Sequence, residues 1–269
     1  MERIINYSEK IRKVGNLTAD KEIVFPENVN VVINDLNLNS EEKDILCGLS
    51  AKKIAFLEPD IYSKELIQLI PESLLKDPST SIIYPKRGGL IVRKSINLER
   101  VSQYSIQAKR DGVNSTPYVN IPKQMLANLS NGDTKNILIL DDVIVTGSTL
   151  DAIRSKVYEL TDIVDYSDYN QSLRFAPTTT TTKRLPIKWY AGALMINARP
   201  NDQENNLNNF EKIFTPIYYK GQNGQTPVNS ISTWVFDKEK GDLVLSRYAE
   251  KYSTNPEKFY LFIKSLKRR

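Results

Sequence analysis

The stretch Ile137 to Thr149, ILILDDVIVTGST, constrains the fold more than any other part of the chain. Its first four residues, Ile137 to Leu140, are apolar without alternation, the pattern of a short strand buried on both faces. Two carboxylates, Asp141 and Asp142, follow where such a strand would end. Thr146-Gly147-Ser148-Thr149 is a turn of small residues. After it Leu150, Ile153, Val157 and Leu160 recur at spacings of 3 and 4, which places them on one helix face. The order is strand, acidic pair, small-residue loop, helix N-terminus. In an open α/β sheet, ligands bind beyond the carboxyl ends of the strands. A helix N-terminus there offers unpaired N–H groups and a partial positive charge, both suited to a phosphate. Gly147 lets the backbone come close, and the three hydroxyls add donors. The two aspartates suit vicinal hydroxyls, a divalent cation, or both.

The rest of the composition removes competing chemistries. The chain has 269 residues, room for one large domain or a core with additions, and 40% of them are apolar, enough for a sizeable core. It carries one cysteine, Cys47, and no histidine. A disulfide framework within the chain, a thiolate zinc site, a Ser-His-Asp triad and a histidine general base are thereby excluded. No apolar run approaches a membrane span, and the opening MERIINYSEKIRKV lacks a signal-peptide core. The expectation is a cytoplasmic protein with no membrane association. A net charge of +5 and a pI near 9.0 permit anionic partners. A site for a polyanionic ligand, together with the basic tail Lys264 to Arg269, accounts for that balance. A nucleic-acid or protein partner stays open, with no helix-turn-helix or RNA motif to support it.

Residues 137–149 resemble the phosphoribosyl-pyrophosphate (PRPP) motif of the type I phosphoribosyltransferases. That motif is four apolar residues, two acids, two apolar residues, a variable one, Thr-Gly, any residue, then Ser or Thr, and every position matches. The resemblance implies an α/β fold with a central, mostly parallel, twisted sheet flanked by helices, carrying N- and C-terminal additions. It implies that Asp141 and Asp142 hold the ribose 2- and 3-hydroxyls of PRPP and a Mg²⁺ ion. Val145, Thr146, Gly147, Ser148 and Thr149 would wrap the 5-phosphate. Upstream, Ser81 to Tyr84 reads as a buried strand and runs into Pro85-Lys86-Arg87-Gly88-Gly89-Leu90 before a helix through Ile91 and Val92. This resembles the family's first core strand and diphosphate loop, so Lys86, Arg87, Gly88 and Gly89 would contact the leaving diphosphate. The alternative is a solvated Lys-Arg turn.

Glu99 to Ile106 and Tyr118 to Ile121 read as strands around the polar segment Gln107 to Pro117. Pro122 to Leu129 reads as a short helix feeding the central strand. The polar segment stands where family members carry a mobile loop that closes over PRPP. Lys109 and Arg110 would there stabilise the departing charge, or simply form a solvated hairpin tip. Leu185 to Asn197, Ile217 to Tyr219 and Thr233 to Phe236 read as further strands. Trp234 would stack on a base by analogy with the family, or pack in the core.

The chain divides, on this reading, into three parts. Residues 1–78 form an N-terminal α/β accessory region packing on the core. It holds strands at Val29 to Ile33 and Ile54 to Leu57, a helix capped by Asn39 with Glu42 as capping-box partner, and a helix that starts at Ser63 and is disrupted by Pro71. Residues 79–215 form the phosphoribosyltransferase-like core, with an insertion at 161–184 that contains the run Pro177 to Thr182. Residues 216–269 supply C-terminal hood strands and a tail that is mostly helical from Lys238 to Leu266.

The family reaction transfers the 5-phosphoribosyl group from PRPP to a nitrogen nucleophile such as a nucleobase and releases diphosphate. Positioning and charge stabilisation carry that chemistry, so the lack of histidine is compatible with it. The implied partners are PRPP and a nucleobase or nucleotide, with a homodimer left open. Val145 stands where hypoxanthine-guanine members carry an aspartate that handles the purine N7 proton. That branch is disfavoured, while the adenine, orotate and other branches remain. Two further readings stay open: a non-catalytic PRPP- or nucleotide-binding regulator, and a nucleotide-acting effector that works with partner proteins.

Overall fold

The computed structural model describes residues 6–8, 12–14, 17–24, 29–33, 38–51, 53–86, 88–99, 101–109, 118–161, 187–198, 207–220, 229–231, 234–237, 242–245 and 253–266. A run of parallel strands forms its centre. In sheet order these are β3 (Leu17–Val24), β11 (Lys212–Lys220), β10 (Lys188–Ala198), β9 (Asn136–Ile144), β6 (Thr80–Pro85) and β7 (Ser102–Lys109). Antiparallel strands cover both edges: β8 (Tyr118–Asn120) on β7, and β1 (Asn6–Ser8) with β2 (Arg12–Val14) on β3.

The unbroken apolar run at the start of β9 is explained by what covers it. Ile137, Leu138, Ile139 and Leu140 are all fully buried, and they alternate between two clusters. Leu138 and Leu140 join Leu66 of α2 (Pro59–Leu69) and Val92 of α4 (Gly88–Ser95). Ile137 and Ile139 join Met125 and Leu129 of α5 (Lys123–Ser130) and Ile153 and Val157 of α6 (Ser148–Thr161). Each side chain buried in this way contributes about 1.5–3 kcal/mol. The molecule is thus an α/β protein, a mostly parallel sheet with helices on both faces.

Strand order positions the site. The chain lays β7 on one side of β6, then returns to lay β9, β10 and β11 on the other. The switch point falls between β6 and β9, where open α/β sheets form their ligand crevice. The pairing there stops early. β6 and β9 are in register only from Thr80↔Asn136 to Ile83↔Ile139. β6 stays on β7 as far as Pro85↔Ile106, and β9 stays on β10 as far as Ile144↔Ile196. The sheet therefore opens at its carboxyl edge, and α4 starts in the gap.

The two ends of the chain meet in a satellite layer. β4 (Val29–Ile33) pairs in parallel with β5 (Lys53–Phe56) and with β12 (Asn229–Ile231). α1 (Ser40–Leu49) and α7 (Pro256–Leu266) pack through Leu38, Leu46, Phe259 and Ile263. A short helix, α3 (Glu72–Leu75), precedes β6, and β13 (Trp234–Asp237) forms a hairpin with β14 (Asp242–Leu245).

Several elements differ from the sequence reading. β3 belongs to the central sheet, so residues 1–78 are partly core and not only an accessory region. A division at 215/216 passes through β11. α2 begins at Pro59, not Ser63, because proline is pre-organised for the first helical turn and lacks the N–H that would go unbonded there. β7 is shifted to Ser102–Lys109 from the expected 99–106. Among the described residues of 238–266, Pro256–Leu266 is helix and Asp242–Leu245 is a strand. Nearly all of the expected insertion, residues 162–184, lies outside the described residues.

Candidate functional site

Asp141 and Asp142 lie within β9, not beyond it: the strand continues along β10 through Val143 and Ile144. Two β-branched residues after the acids carry that extension. The carboxylates fold back on their own chain. Asp141 Oδ1 accepts the Asp142 N–H at 2.9 Å, and Asp142 Oδ1 accepts the Val143 N–H at 2.8 Å. Asp141 is 9% exposed. Burial, and then the neighbouring Asp142 charge, push its carboxyl well above the usual carboxylate range, against the pull of N–H donors from Asp142 and Gly89.

Gly88 and Gly89 open α4 directly against this pair. A Cβ on Gly88 would stand 1.9 Å from Asp142 Oδ1 and 2.3 Å from Asp141 Oδ1. A Cβ on Gly89 would stand 2.5 Å from the Leu140 carbonyl oxygen. A side chain at Gly89 would run into backbone, and one at Gly88 would have to displace both carboxylates. The helix N-terminus, with its partial positive charge, therefore abuts two carboxylates. Lys86 sits on the turn that ends β6; its N–H donates to the Ile106 carbonyl at 2.7 Å and its side chain is exposed.

Val145 and Thr146 are half-buried in the loop that leaves β9. Gly147 takes φ +71°, a left-handed conformation that favours glycine. Its carbonyl accepts the Asp151 N–H at 3.0 Å, which places Ser148 and Thr149 inside the first turn of α6. Thr146 Oγ1 lies 2.8 Å from Ser148 Oγ. Hydroxyls and first-turn N–H groups thus cluster at the α6 N-terminus, one loop away from the acidic pair.

The remaining expected site residues are placed less completely. Lys109 is the last residue of β7, in register with Tyr118 of β8, so a hairpin does flank the polar segment. Trp234 starts β13 in a hairpin separate from the central sheet. Arg87 and Arg110 lie outside the described residues. The sequence reading expects the loop after Tyr84 and the acidic pair to converge at the carboxyl end of the central strand; the structure puts that contact on Gly88.

Comparison with solved structures returns phosphoribosyltransferases among its matches. The chain is similar to a hypoxanthine phosphoribosyltransferase from Staphylococcus aureus at 17% identity, over 61% of this chain and 73% of that one, with a TM-score of 0.38. It is similar to a purine phosphoribosyltransferase from Pyrococcus horikoshii at 14% identity, over 76% of this chain and 99% of that one, with a TM-score of 0.36. It is similar to an orotate phosphoribosyltransferase from Aeropyrum pernix at 14% identity, over 59% of this chain and 70% of that one, with a TM-score of 0.33. No family model and no curated protein matches the chain.

Proposed function

We propose that this crevice binds PRPP and transfers its 5-phosphoribosyl group to a nitrogen nucleophile such as a nucleobase, releasing diphosphate. One observation carries the reading: an acidic pair and a glycine-opened helix N-terminus meet where the parallel sheet parts between β6 and β9, and a hydroxyl-lined loop leads on from the same strand. Asp141 and Asp142 accept hydrogen bonds from the ribose hydroxyls. The loop from Val145 to Thr149 holds the 5-phosphate at the α6 N-terminus. Lys86, Arg87, Gly88 and Gly89 take the diphosphate. Lys109 and Arg110 close over it, and Trp234 takes the base. A cytoplasmic setting belongs to the same proposal; among the described residues no helix is long and apolar enough to cross a membrane.

The acidic pair also fits Mg²⁺. A buried carboxyl raised by burial and by a like-charged neighbour is relieved by a cation. Two carboxylates leave most of an octahedral shell to be filled by substrate oxygens and water. When bound, the ion would offset charge building up on the departing diphosphate. The chain's own groups position the ribose and the phosphates in line for displacement.

Calorimetry with PRPP and Mg²⁺ tests the proposal. Replacing Asp141 and Asp142 together with Asn keeps size and removes charge. Charge-assisted hydrogen bonds contribute roughly 1.5–3 kcal/mol, so affinity should fall at least about tenfold. Unchanged affinity would mean that the pair does not hold PRPP. Diphosphate release across a panel of nucleobases then separates a transferase from a binding protein. Hypoxanthine and guanine should be poor acceptors there, because Val145 can neither accept a proton nor hydrogen-bond to N7.

A further inference from the structure

We infer that the satellite layer is a self-association surface: α1 of one copy of this chain docks on α7 of a second copy, and the reciprocal contact closes a two-fold dimer. The inference is independent of what the crevice binds.

Two neighbouring helices carry opposite charge on their outer faces. On α1, Glu41, Asp44, Ile45 and Gly48 recur at spacings of 3 and 4, and all are exposed. On α7, Lys258, Leu261, Lys264 and Ser265 form the matching exposed stripe. The inward faces are already occupied: Leu46, Phe259 and Ile263 fill the satellite core, and buried Lys43 of α1 pairs with Glu58. The helices are tied together at one end, where the Thr254 N–H donates to the Leu49 carbonyl and Ser50 bridges to Ser253. The two stripes are therefore neighbours in one layer.

Their signs are not set by the helices that carry them. Asp44 lies beyond the first turn of α1. Lys258 lies in the first turn of α7, its N–H on Asn255 Oδ1 at 3.0 Å, at the positive end of the helix dipole where a cation is disfavoured. Among the described residues Glu41, Asp44, Lys258 and Lys264 form no ion pair. Each stripe has one apolar side chain at its centre, Ile45 at 41% exposed and Leu261 at 58%. A lone exposed leucine is ordinary on a protein surface. Here each apolar residue stands between charges opposite in sign to those around the other. Beside Ile45, Gly48 leaves a notch, since a Cβ there would meet nothing within 4 Å. Leu261 of the second copy packs on Ile45 over that notch, and its Lys258 and Lys264 face Asp44 and Glu41. Charge also selects the arrangement. Docking α1 on α1, or α7 on α7, would set like charges together, whereas α1 on α7 satisfies both stripes and is made twice in a two-fold dimer.

Sedimentation velocity of the full chain tests this at low salt, across about 1 to 100 µM, where a small interface dissociates. The variants are Asp44→Lys, Lys258→Glu and Leu261→Ser. The first two suit their own helices: lysine is a better helix former than aspartate, and glutamate is favoured in a first turn. Thermal melts check that each variant is folded. Wild type should dimerise, less tightly as salt rises. Each charge reversal should weaken the dimer roughly tenfold, because attraction becomes repulsion at two symmetric places. Leu261→Ser should weaken it too. Mixing the Asp44→Lys chain with the Lys258→Glu chain should restore dimers, since one of the two contacts is then reversed as a pair and the other is native. A wild type that stays monomeric over this range would overturn the inference. So would a dimer that none of the three variants weakens, or charge-reversal variants that dissociate alone and stay apart when mixed.

Discussion

At the scale of single residues, Asp141 shows what the site costs the fold. Its carboxyl is raised by burial first and by Asp142 second. The folded chain therefore holds a proton on Asp141 at pH values where the unfolded chain, with an ordinary aspartate near 3.8, has released it. Between those two values the folded state binds more protons, so stability falls as pH rises through the window. Asn at 141 can keep the contact with the Asp142 N–H and carries no charge. We expect Asp141→Asn to melt above wild type at neutral pH in chelator, by a few degrees at roughly 2–4 °C per kcal/mol for a chain of this size. The gain should shrink as pH falls toward 3.8, where wild type is protonated too. Thermal melts over a pH series read this, and a variant that melts lower at neutral pH would contradict it. The acidic pair was legible in the sequence because adjacent carboxylates after an apolar run have no structural use. That the loop after β6 converges with it was legible through the resemblance, but the contact at Gly88 was not, since it depends on where the pairing of β6 and β9 stops.

At the scale of elements, local chemistry was readable wherever it was closed within a few residues. The capping box of α1 is such a case. The Glu42 N–H donates to Asn39 Oδ1 at 2.9 Å, and the Asn39 N–H donates to Glu42 Oε2 at 2.9 Å. Asn39→Ala removes the side-chain acceptor and should weaken the helix start by about 1 kcal/mol. In hydrogen exchange, the Glu42 amide should then exchange roughly fivefold faster. An unchanged rate would show that packing, not the cap, holds this turn. Where a boundary depended on tertiary context the sequence misled. Ser63 resembles a cap, yet it is fully buried inside α2, and its hydroxyl has no hydrogen-bond partner among the described residues. Val143 and Ile144 continue β9 because β10 lies alongside to pair with them. Their apolar character alone did not separate strand from loop. The stretch 238–266 carries aromatic and aliphatic residues at helix-like spacing, but Asp242–Leu245 pairs with β13 instead.

At the scale of the whole molecule, the chain builds two packing units with separate cores. The central sheet was foreseen from its buried strands and its alternation of strand and helix. The satellite layer was foreseen only in its N-terminal part, β4, α1 and β5, because β4 meets β12 and α1 meets α7 only by bringing the two ends of the chain together. Leu38, Leu46, Phe259 and Ile263 form its core, apart from the two clusters that flank β9. Further links support the layer: the Thr254 N–H donates to the Leu49 carbonyl at 2.8 Å, and buried Lys43 pairs with Glu58, the residue that precedes α2. Phe259→Ala should cost about 3–5 kcal/mol, the usual penalty for emptying a buried aromatic position. Because the cavity opens in the satellite core, that loss should appear as local unfolding and not as collapse of the sheet. Hydrogen exchange distinguishes the two. Amides of α1 and α7 should lose protection together, while those of Ile137 to Leu140 keep theirs. Equal loss of protection in β9 would show that both units unfold as one, and that the satellite layer is as much a part of the core as β3 is.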